Sequence, residues 1–571
     1  MGAEPDGSAP FLAPGMAPIA PRNFPECPYI AFYLRIYDII HLSDGEAAPM
    51  PDPQFRECKQ DQLMLLPPDI SELVPENSLA RITDMVVRSM DRSTLTALYP
   101  GGGTPAHDPQ MMLKVILLAY ASGIYSSRKI AQATRENIGF MWICGMQPLD
   151  HSAINRFRSE RIRPVFEEVF SEFVSLLADM GFITLGTYFL DGTKIEANAN
   201  RFSFVWAKSN RRYQEQLRAK VHAHLKAIDE MEEEEEALAP ADPGEIDSAA
   251  IAEAARKIGE RIGRKGVGRR PKDEEGRALR LAERMCSGEW AEKMELYERN
   301  AEILDGRGSF SKTDHDATFM RMKDDHMGNG QLKAAYNIQA GTEGQFIIDT
   351  TAHRRPGDTA CTIEHLEHAE RTIGWLPGEI VADAGYGSEQ NYRWLDGKGL
   401  TAYVKHGEFF REMRNRKWRE DPMRPANWEY DEILDTYACP EGSTLRFVRL
   451  QHPRSDLGHC ADVRVYRCES CTGCPLKERC FRSEDPDAPR VLRVNPDLAR
   501  FRKRASFLLN TERGTVLRKQ RSVDVETIFG DIKRNWHFTR FLLRGLEKAD
   551  HEFRLVAAGH NLRKLALSLA G

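Results

Sequence analysis

No run of residues in this sequence approaches the ~18 uninterrupted apolar positions that a membrane-spanning helix requires, so no span is expected. The opening stretch, Met1 to Pro21, is rich in proline, glycine and alanine but lacks a basic start followed by an apolar core. It does not read as an export signal, and the expected location is the cytoplasm. Cysteine is scarce and odd in number, eleven in 571 residues, which argues against a disulfide framework. An overall positive charge is also missing: 79 Lys and Arg against 85 Asp and Glu leave −6, which on average disfavours a polyanionic partner. What is present, 41% hydrophobic and 29% charged residues with a mean hydropathy of −0.50, describes a soluble chain too long for one hydrophobic core. Two to four units are expected.

The average charge hides its distribution. From Val491 to Gly571 there are 17 Lys and Arg against 8 Asp and Glu, whereas Asp229 to Glu236 is nearly solid acid. A basic C-terminal region is the footprint expected of nucleic-acid binding, and the acidic run reads as a solvated helix face or linker. The first ~55 residues lack hydrophobic periodicity and read as disordered. From about Gln62 to Met180 the pattern is helical, with Arg156 and Arg158 on a helix opening near Ser152. Two readings stand there: a helix-turn-helix DNA reader, or a bundle with a basic wet face.

The period then changes. Gly186 to Leu190 is apolar and β-branched or aromatic and runs into Asp191-Gly192, which reads as a buried strand ending in an acid and a turn. Ser203 to Leu304 returns to charged helix and reads as an insertion. Lys333 to Ala340, a turn over Gly341 to Gly344, and Gln345 to Thr351 make a hairpin, followed by a helix from Thr359 to about Ile373. Gly378 to Ala382 is a strand ending in Asp383, and Leu400 to Val404 is another. Strand, hairpin, helix, strand with a terminal acid, helix, strand is the order of an RNase H-like core. A Cys-rich, Pro-rich insertion follows, and Arg521 to Trp536 supplies the last helix.

Phosphodiester transfer needs charge neutralised on the attacking and leaving oxygens, and two divalent ions held by carboxylates do this in many nucleases and polymerases. Asp191 and Asp383, at the ends of neighbouring strands, could face one crevice. Glu526 fits as a third acid because Val525, Phe529, Ile532 and Trp536 form an apolar stripe that would dock its helix on the sheet. Lys533, seven residues on, shares its face and could meet a phosphate. Taken singly, each acid is as well read as a cap, a turn residue or a solvated side chain; their joint order favours chemistry.

Three stretches carry a resemblance: Phe189-Leu-Asp-Gly-Thr-Lys-Ile-Glu-Ala-Asn-Ala-Asn200, Val381-Ala-Asp-Ala-Gly-Tyr-Gly-Ser388 and Asp524-Val-Glu-Thr-Ile-Phe-Gly-Asp-Ile-Lys533. They resemble bacterial insertion-sequence transposases of the DDE type, in the branch with a helical N-terminal domain and a Cys-containing insertion before the catalytic glutamate. The similarity runs from about Gln62 to Lys564 and includes Asn329 to Lys333, Tyr336-Asn337 and Arg544 to Lys548. The resemblance implies that Asp191, Asp383 and Glu526 bind two Mg2+ (or Mn2+) ions. It implies cleavage at the element's terminal inverted repeats and strand transfer into target DNA, by a homodimer or larger assembly. Related transposases frame the glutamate as Y-x2-R-x3-E-x6-K. Lys533 matches, but position 522 is Ser, Arg521 lies one residue off, and position 519 is Lys.

Other residues admit two readings each. Lys194, Glu196, Asn198 and Asn200 would contact substrate or simply hydrogen-bond near the insertion. Trp536, His537, Phe538, Arg540, Phe541 and Arg544 would form a nucleic-acid surface, or pack the aromatics inside with the arginines outside. Cys468, Cys471, Cys474 and Cys480 have ligand-like spacing for a structural Zn2+; an iron-sulfur site and free thiols are the alternatives, with Cys439, His459 and Cys460 as replacement ligands. The expected layout is an α/β, RNase H-like mixed sheet flanked by helices, with an all-α N-terminal domain and two insertions. Its segments are 1–55 disordered, 56–182 helical and DNA-binding, 183–205, 306–405 and 510–571 catalytic core, 206–305 helical insertion and 406–509 Cys-rich insertion. A hydrolytic nuclease of the same fold, or a DNA-binding protein descended from a transposase, are the competing functions.

Overall fold

The computed structural model describes residues 69–571 except 100–105, 232–235, 323–329, 456, 484, 486–487 and 571. The segment 1–55, most of the Glu232 to Glu236 run and Asn329 lie outside the described residues. Helix α1 (Leu79–Ser89) starts at Ser78, whose hydroxyl accepts from the Arg81 amide. Helix α2 (Pro109–Ala121) starts at the Asp108 cap with proline at its first position. Met112 to Ala121 are buried all round, because α2 runs through the interior with neighbours on every side. Helices α3 (Ser127–Glu136) and α4 (Phe166–Asp179) belong to the same layer, with shorter helices at Arg92–Thr96, Ile138–Ile143 and His151–Arg156. One contiguous hydrophobic core joins these helices to the sheet that follows.

The central sheet is built from β1 (Thr187–Glu196), β4 (Thr318–Arg321), β5 (Leu332–Glu343), β6 (Phe346–His353), β7 (Glu379–Ala382) and β8 (Thr401–Val404). Its order is β6-β5-β1-β7-β8, with β4 sharing the β5 edge. Strands β1, β5 and β6 are antiparallel neighbours, whereas β7 and β8 run parallel to β1. That mixture is the RNase H-like sheet, flanked by helices α9 (Thr362–Ile373), α10 (Glu389–Gly397) and α13 (Leu546–Ala570), which docks on β6 and α2.

Two local expectations are corrected. β1 does not end at an Asp191-Gly192 turn but continues to Glu196, because β5 pairs with it as far as Glu196 opposite Ala335. What stops at Leu190 is the parallel ladder to β7, where Leu190 lies opposite Ala382. The hairpin turn is also displaced. It consists of Gly344 and Gln345, with φ of 61° and 65°, and Gly341 stays inside β5. Gly341 is glycine for another reason: the Tyr188 ring fills the space a side chain would need, within 1.7 Å of an added Cβ.

The first insertion leaves through β2 (Phe204–Trp206) and returns through β3 (Ser309–Ser311), which pair with each other. Between them stand α5 (Ala207–Met231), α6 (Ser248–Lys265), α7 (Glu274–Cys286) and α8 (Glu289–Leu304), around a separate apolar core that includes Val221, Ile251, Ile258, Leu279 and Met294. The second insertion is an antiparallel sheet in the order β13-β12-β11-β10-β9 (Val491–Val494, Val463–Cys468, Thr444–Gln451, Thr436–Ala438, Glu429–Asp431). Helix α11 (Pro496–Asn510) leads back to α12 (Glu512–Arg521), which continues through a π-helical turn (Ser522–Glu526), an α turn (Thr527–Gly530) and a second π-helical turn (Asp531–Asn535).

Candidate active site

Asp191 stands one residue beyond the point where the parallel ladder ends, and Asp383 one residue beyond β7, so both project into the crevice this ending opens. The Asp383 carboxylate also accepts from the Gly385 amide at 2.8 Å. Val525, Ile528 and Ile532 are buried and dock the last helical segment, leaving Glu526 on its open side. The three acids meet on one side chain. Arg521 Nη1 lies 3.8 Å from Asp191 Oδ2 and 3.4 Å from Glu526 Oε1, and Nη2 lies 3.4 Å from Asp383 Oδ2. The arginine is buried, Asp191 nearly so, and Asp383 and Glu526 are progressively more open, with side-chain exposures of 38% and 60%.

The one-residue offset of Arg521 thereby acquires a physical explanation. In an α-helix, residues four apart share a face, whereas a π-helical turn inserts one extra residue and brings i and i+5 together. Arg521 and Glu526 are five apart, and the turn between them is π-helical. The same face is reached with one more residue. Beyond it the crevice is lined by Asp191, Thr193, Glu526, Lys533, Arg534 and His537.

Beside the aspartates lies a polar network whose role the sequence does not assign. Asp358, at the foot of α9, accepts from Asn337 Nδ2 at 2.8 Å and Gln339 Nε2 at 3.0 Å, and Gln339 Oε1 accepts from the Tyr386 hydroxyl at 2.5 Å. A Cβ at Gly192 would lie 2.4 Å from Gln339 Nε2 and 2.7 Å from Asp358 Oδ1, so a side chain beside Asp191 would push this hydrogen-bonded pair aside. Burial, then the charges of Asp358, Asp191 and Asp383, hold the Tyr386 hydroxyl well above its usual range. Lys405 also faces the site; burial and then Arg521 lower its pKa. The available signal was the run of polar residues, Asn337 and Gln339, inside an otherwise apolar strand.

The remaining candidates separate. Arg540 Nη2 donates to Ala199 O at 2.9 Å and its Nη1 lies 3.8 Å from Glu196, and Arg544 Nε donates to Asn198 O at 3.0 Å. Both fasten the segment after Trp536 to the chain leaving β1. Asn198 Nδ2 donates to Leu542 O from the other side, the Asn200 amide donates to Thr313, and Lys194 Nζ donates to Arg321 O. Trp536, Phe538 and Phe541 are buried. Arg158 is buried too, donating to Tyr125 O, Tyr120 and Asn155, and presents no face to a ligand; Arg156, two residues earlier, is exposed.

In the second insertion, Cys439, Cys468, Cys471, Cys474 and Cys480 line one small pocket. The Arg490 amide points at Cys471 Sγ from 3.3 Å, and burial followed by its neighbour Cys471 pushes the Cys468 thiol up to about 12. Cys460 is exposed and its thiol contacts His452 O, while His459 lies 3.3 Å from Glu389, so Cys439 rather than either of these joins the cluster. Among the described residues no three His, Cys, Asp or Glu side chains are arranged as a ready metal cage. In the crevice the Arg521 guanidinium takes the central position.

Residues 68–160 match the family model described as Transposase domain (DUF772), and residues 438–566 match the one described as Transposase DDE domain. Glu526 falls within the second match, while Asp191 and Asp383 lie between the two. No curated protein and no solved structure matches the chain. With an RNase H-like sheet between them and three acids gathered at its strand ends, the two matches support an insertion-sequence transposase of the DDE type.

Proposed function

We propose that Asp191, Asp383 and Glu526 hold a pair of divalent cations, Mg2+ or Mn2+, and that the crevice cleaves DNA at the terminal inverted repeats of an insertion sequence and joins the freed end to target DNA. The observation that carries this reading is the convergence of three carboxylates, from two strand ends and one helix, on a single guanidinium. That guanidinium is a cationic stand-in, and the donors around it are the hard oxygens that such cations favour. Once bound, the cations would neutralise charge on the attacking and leaving oxygens.

The chain's own part is positioning. Asp191 is fixed within a strand paired on one edge, Asp383 by its turn, and Glu526 by the buried stripe beneath it. Arg521 keeps the three carboxylates from repelling one another apart, as a charge buried among opposite charges does. Lys533, with Arg534 and His537 beside it, lines the wall where a scissile phosphate would lie. Water attacks phosphorus at the element's end, the P–O3′ bond breaks, and the released 3′-hydroxyl attacks a target phosphodiester in the same way. Two ends must be cut together, so a second copy of the chain is the expected partner, acting in the cytoplasm on the nucleoid. Cys468, Cys471, Cys474 and Cys480, or Cys439 in place of one of them, are proposed to hold a structural Zn2+, with their protons displaced on binding.

The test is a Mg2+-dependent cleavage and joining assay on the flanking repeats. Wild type is expected to give both products, and Asp383→Asn to lose both by about 10³-fold or more. Cleavage without joining would assign a hydrolytic nuclease instead, and an inactive wild type would overturn the reading.

A further inference from the structure

The second insertion has two unlike faces. Cross-strand partners share a face, so Leu445, Tyr466, Cys468 and Leu492 lie together on the side that forms the small core. The opposite side carries two rows across β11, β12 and β13: Arg446, Arg467 and Val491 in one, Arg449, Val465 and Arg493 in the next. Arg446, Arg449, Arg467 and Arg493 are all exposed, and Val465 is buried beneath their stems. Arg446 pairs with Glu469. No described acid forms an ion pair with Arg449, Arg467 or Arg493, and the other acids of this face, Glu429 and Asp431, stand on the far edge strand β9.

With strands ~4.8 Å apart and alternate residues ~6.8 Å apart, the four side chains spring from a patch about 10 Å wide. Like charges directly opposite on a sheet, as Arg446 and Arg467 are, cost stability. A face that needed only solubility would interleave both signs. Such a patch matches a polyanion of closely spaced charges, and duplex DNA places one about every 1.7 Å of its axis. Guanidinium groups also suit phosphate oxygens, which they can grip with two N–H donors.

We propose that this arginine face is a second DNA-contacting surface, separate from the catalytic crevice, which grips the phosphate backbone of duplex DNA without reading its sequence. It rests on the transposase reading only for the presence of DNA. The surface predicts that Arg449, Arg467 and Arg493 each contribute to the salt dependence of binding.

The experiment measures binding of the full-length chain to a labelled duplex of arbitrary sequence by fluorescence anisotropy, between roughly 50 and 200 mM salt. R449A/R467A/R493A is expected to weaken binding at least 10-fold and to lower the slope of log K against log salt by about 2 to 3, near 0.9 per lost contact. R449K/R467K/R493K should keep most of the slope. So should R211A/R256A/R299A, which removes three exposed arginines from the helical insertion. Hydrogen exchange on the wild type should show protection of 444–468 and 491–494 on adding DNA, a readout independent of any variant. Equal slopes for wild type and the alanine triple, an equal loss in the control triple, or no protection would overturn the proposal. A change in self-association with DNA binding intact would also overturn it, by making the partner a protein. If the wild type bound no duplex at all, the transposase reading would fail with it.

Discussion

The two insertions that interrupt the catalytic sheet solve the same problem by different means. The helical one encloses a long list of aliphatic and aromatic side chains, among them Leu217, Val221, Leu225, Ile251, Ile258, Leu279, Trp290 and Met294. The Cys-rich one gathers a core of Trp428, Leu445, Tyr466, Cys468 and Leu492, packed against by thiols and half-exposed side chains. A core that small seldom holds a sheet together, and small modules commonly add a metal or a cross-link. The difference teaches that burial supports the first insertion, whereas the second, on the zinc reading proposed above, would lean on its cysteines.

The largest effect should come from removing that support. Replacing Cys468 and Cys471 together with serine, or stripping thiophilic metal with a chelator, is expected to cost the β9–β13 sheet several kcal/mol of local stability. Its amide protection should then collapse while that of 207–304 stays as in wild type. Metal analysis that finds no zinc, with exchange unchanged by the chelator, would mean that the thiols merely pack, and the contrast between the insertions would disappear.

The converse perturbation is smaller and falls on the other side. Ile258 is wholly buried at the centre of the helical insertion, so Ile258→Ala should cost about 2 to 5 kcal/mol through lost burial and the cavity left behind. The loss should appear in exchange across α5 to α8 and leave zinc content untouched. If the Cys-rich sheet loosened as well, the two insertions would be energetically coupled, contrary to their separate cores.

How far the sequence reveals these regions depends on the range over which each feature is determined. The helical insertion and the stripe of Val525, Phe529, Ile532 and Trp536 are periodic within single elements and could be read directly. The neighbourhood of Asp191 and Asp383 could be read because strand order puts β1 beside β7. The end of β1 was misjudged because Asp191-Gly192 has the composition of a turn, whereas its partner β5 lies more than a hundred residues away. The hairpin turn was misplaced because Gly341 serves Tyr188 rather than the turn. Arg521 looked misaligned because residue counting assumes an α-helix, and a π-helical turn cannot be seen in spacing alone. Asp358, Arg158 and Cys439 owe their surroundings to tertiary contacts with no local signature.

The smallest effect concerns the core that both insertions interrupt, and it distinguishes that core from theirs by its response to pH. Glu552 is buried on α13, where Oε2 accepts from the amides of Leu542 at 2.9 Å and Leu543 at 2.8 Å, and burial raises its pKa to about 7. An unfolded glutamate titrates near 4.3. Below that pH both states are protonated and the group is neutral to stability. Between there and about 7 the unfolded chain gives up its proton first, so stability falls as pH rises and the penalty is complete above 7. Glu552→Gln keeps an oxygen for the two amides and removes the charge. It should therefore match wild type near pH 4 and exceed it on the order of 2 kcal/mol at pH 8. Thermal or denaturant unfolding followed by exchange in 546–570 would measure the difference. A gap that does not widen with pH would show that Glu552 is ionised at neutral pH with its charge already compensated, most directly by the nearby Arg158.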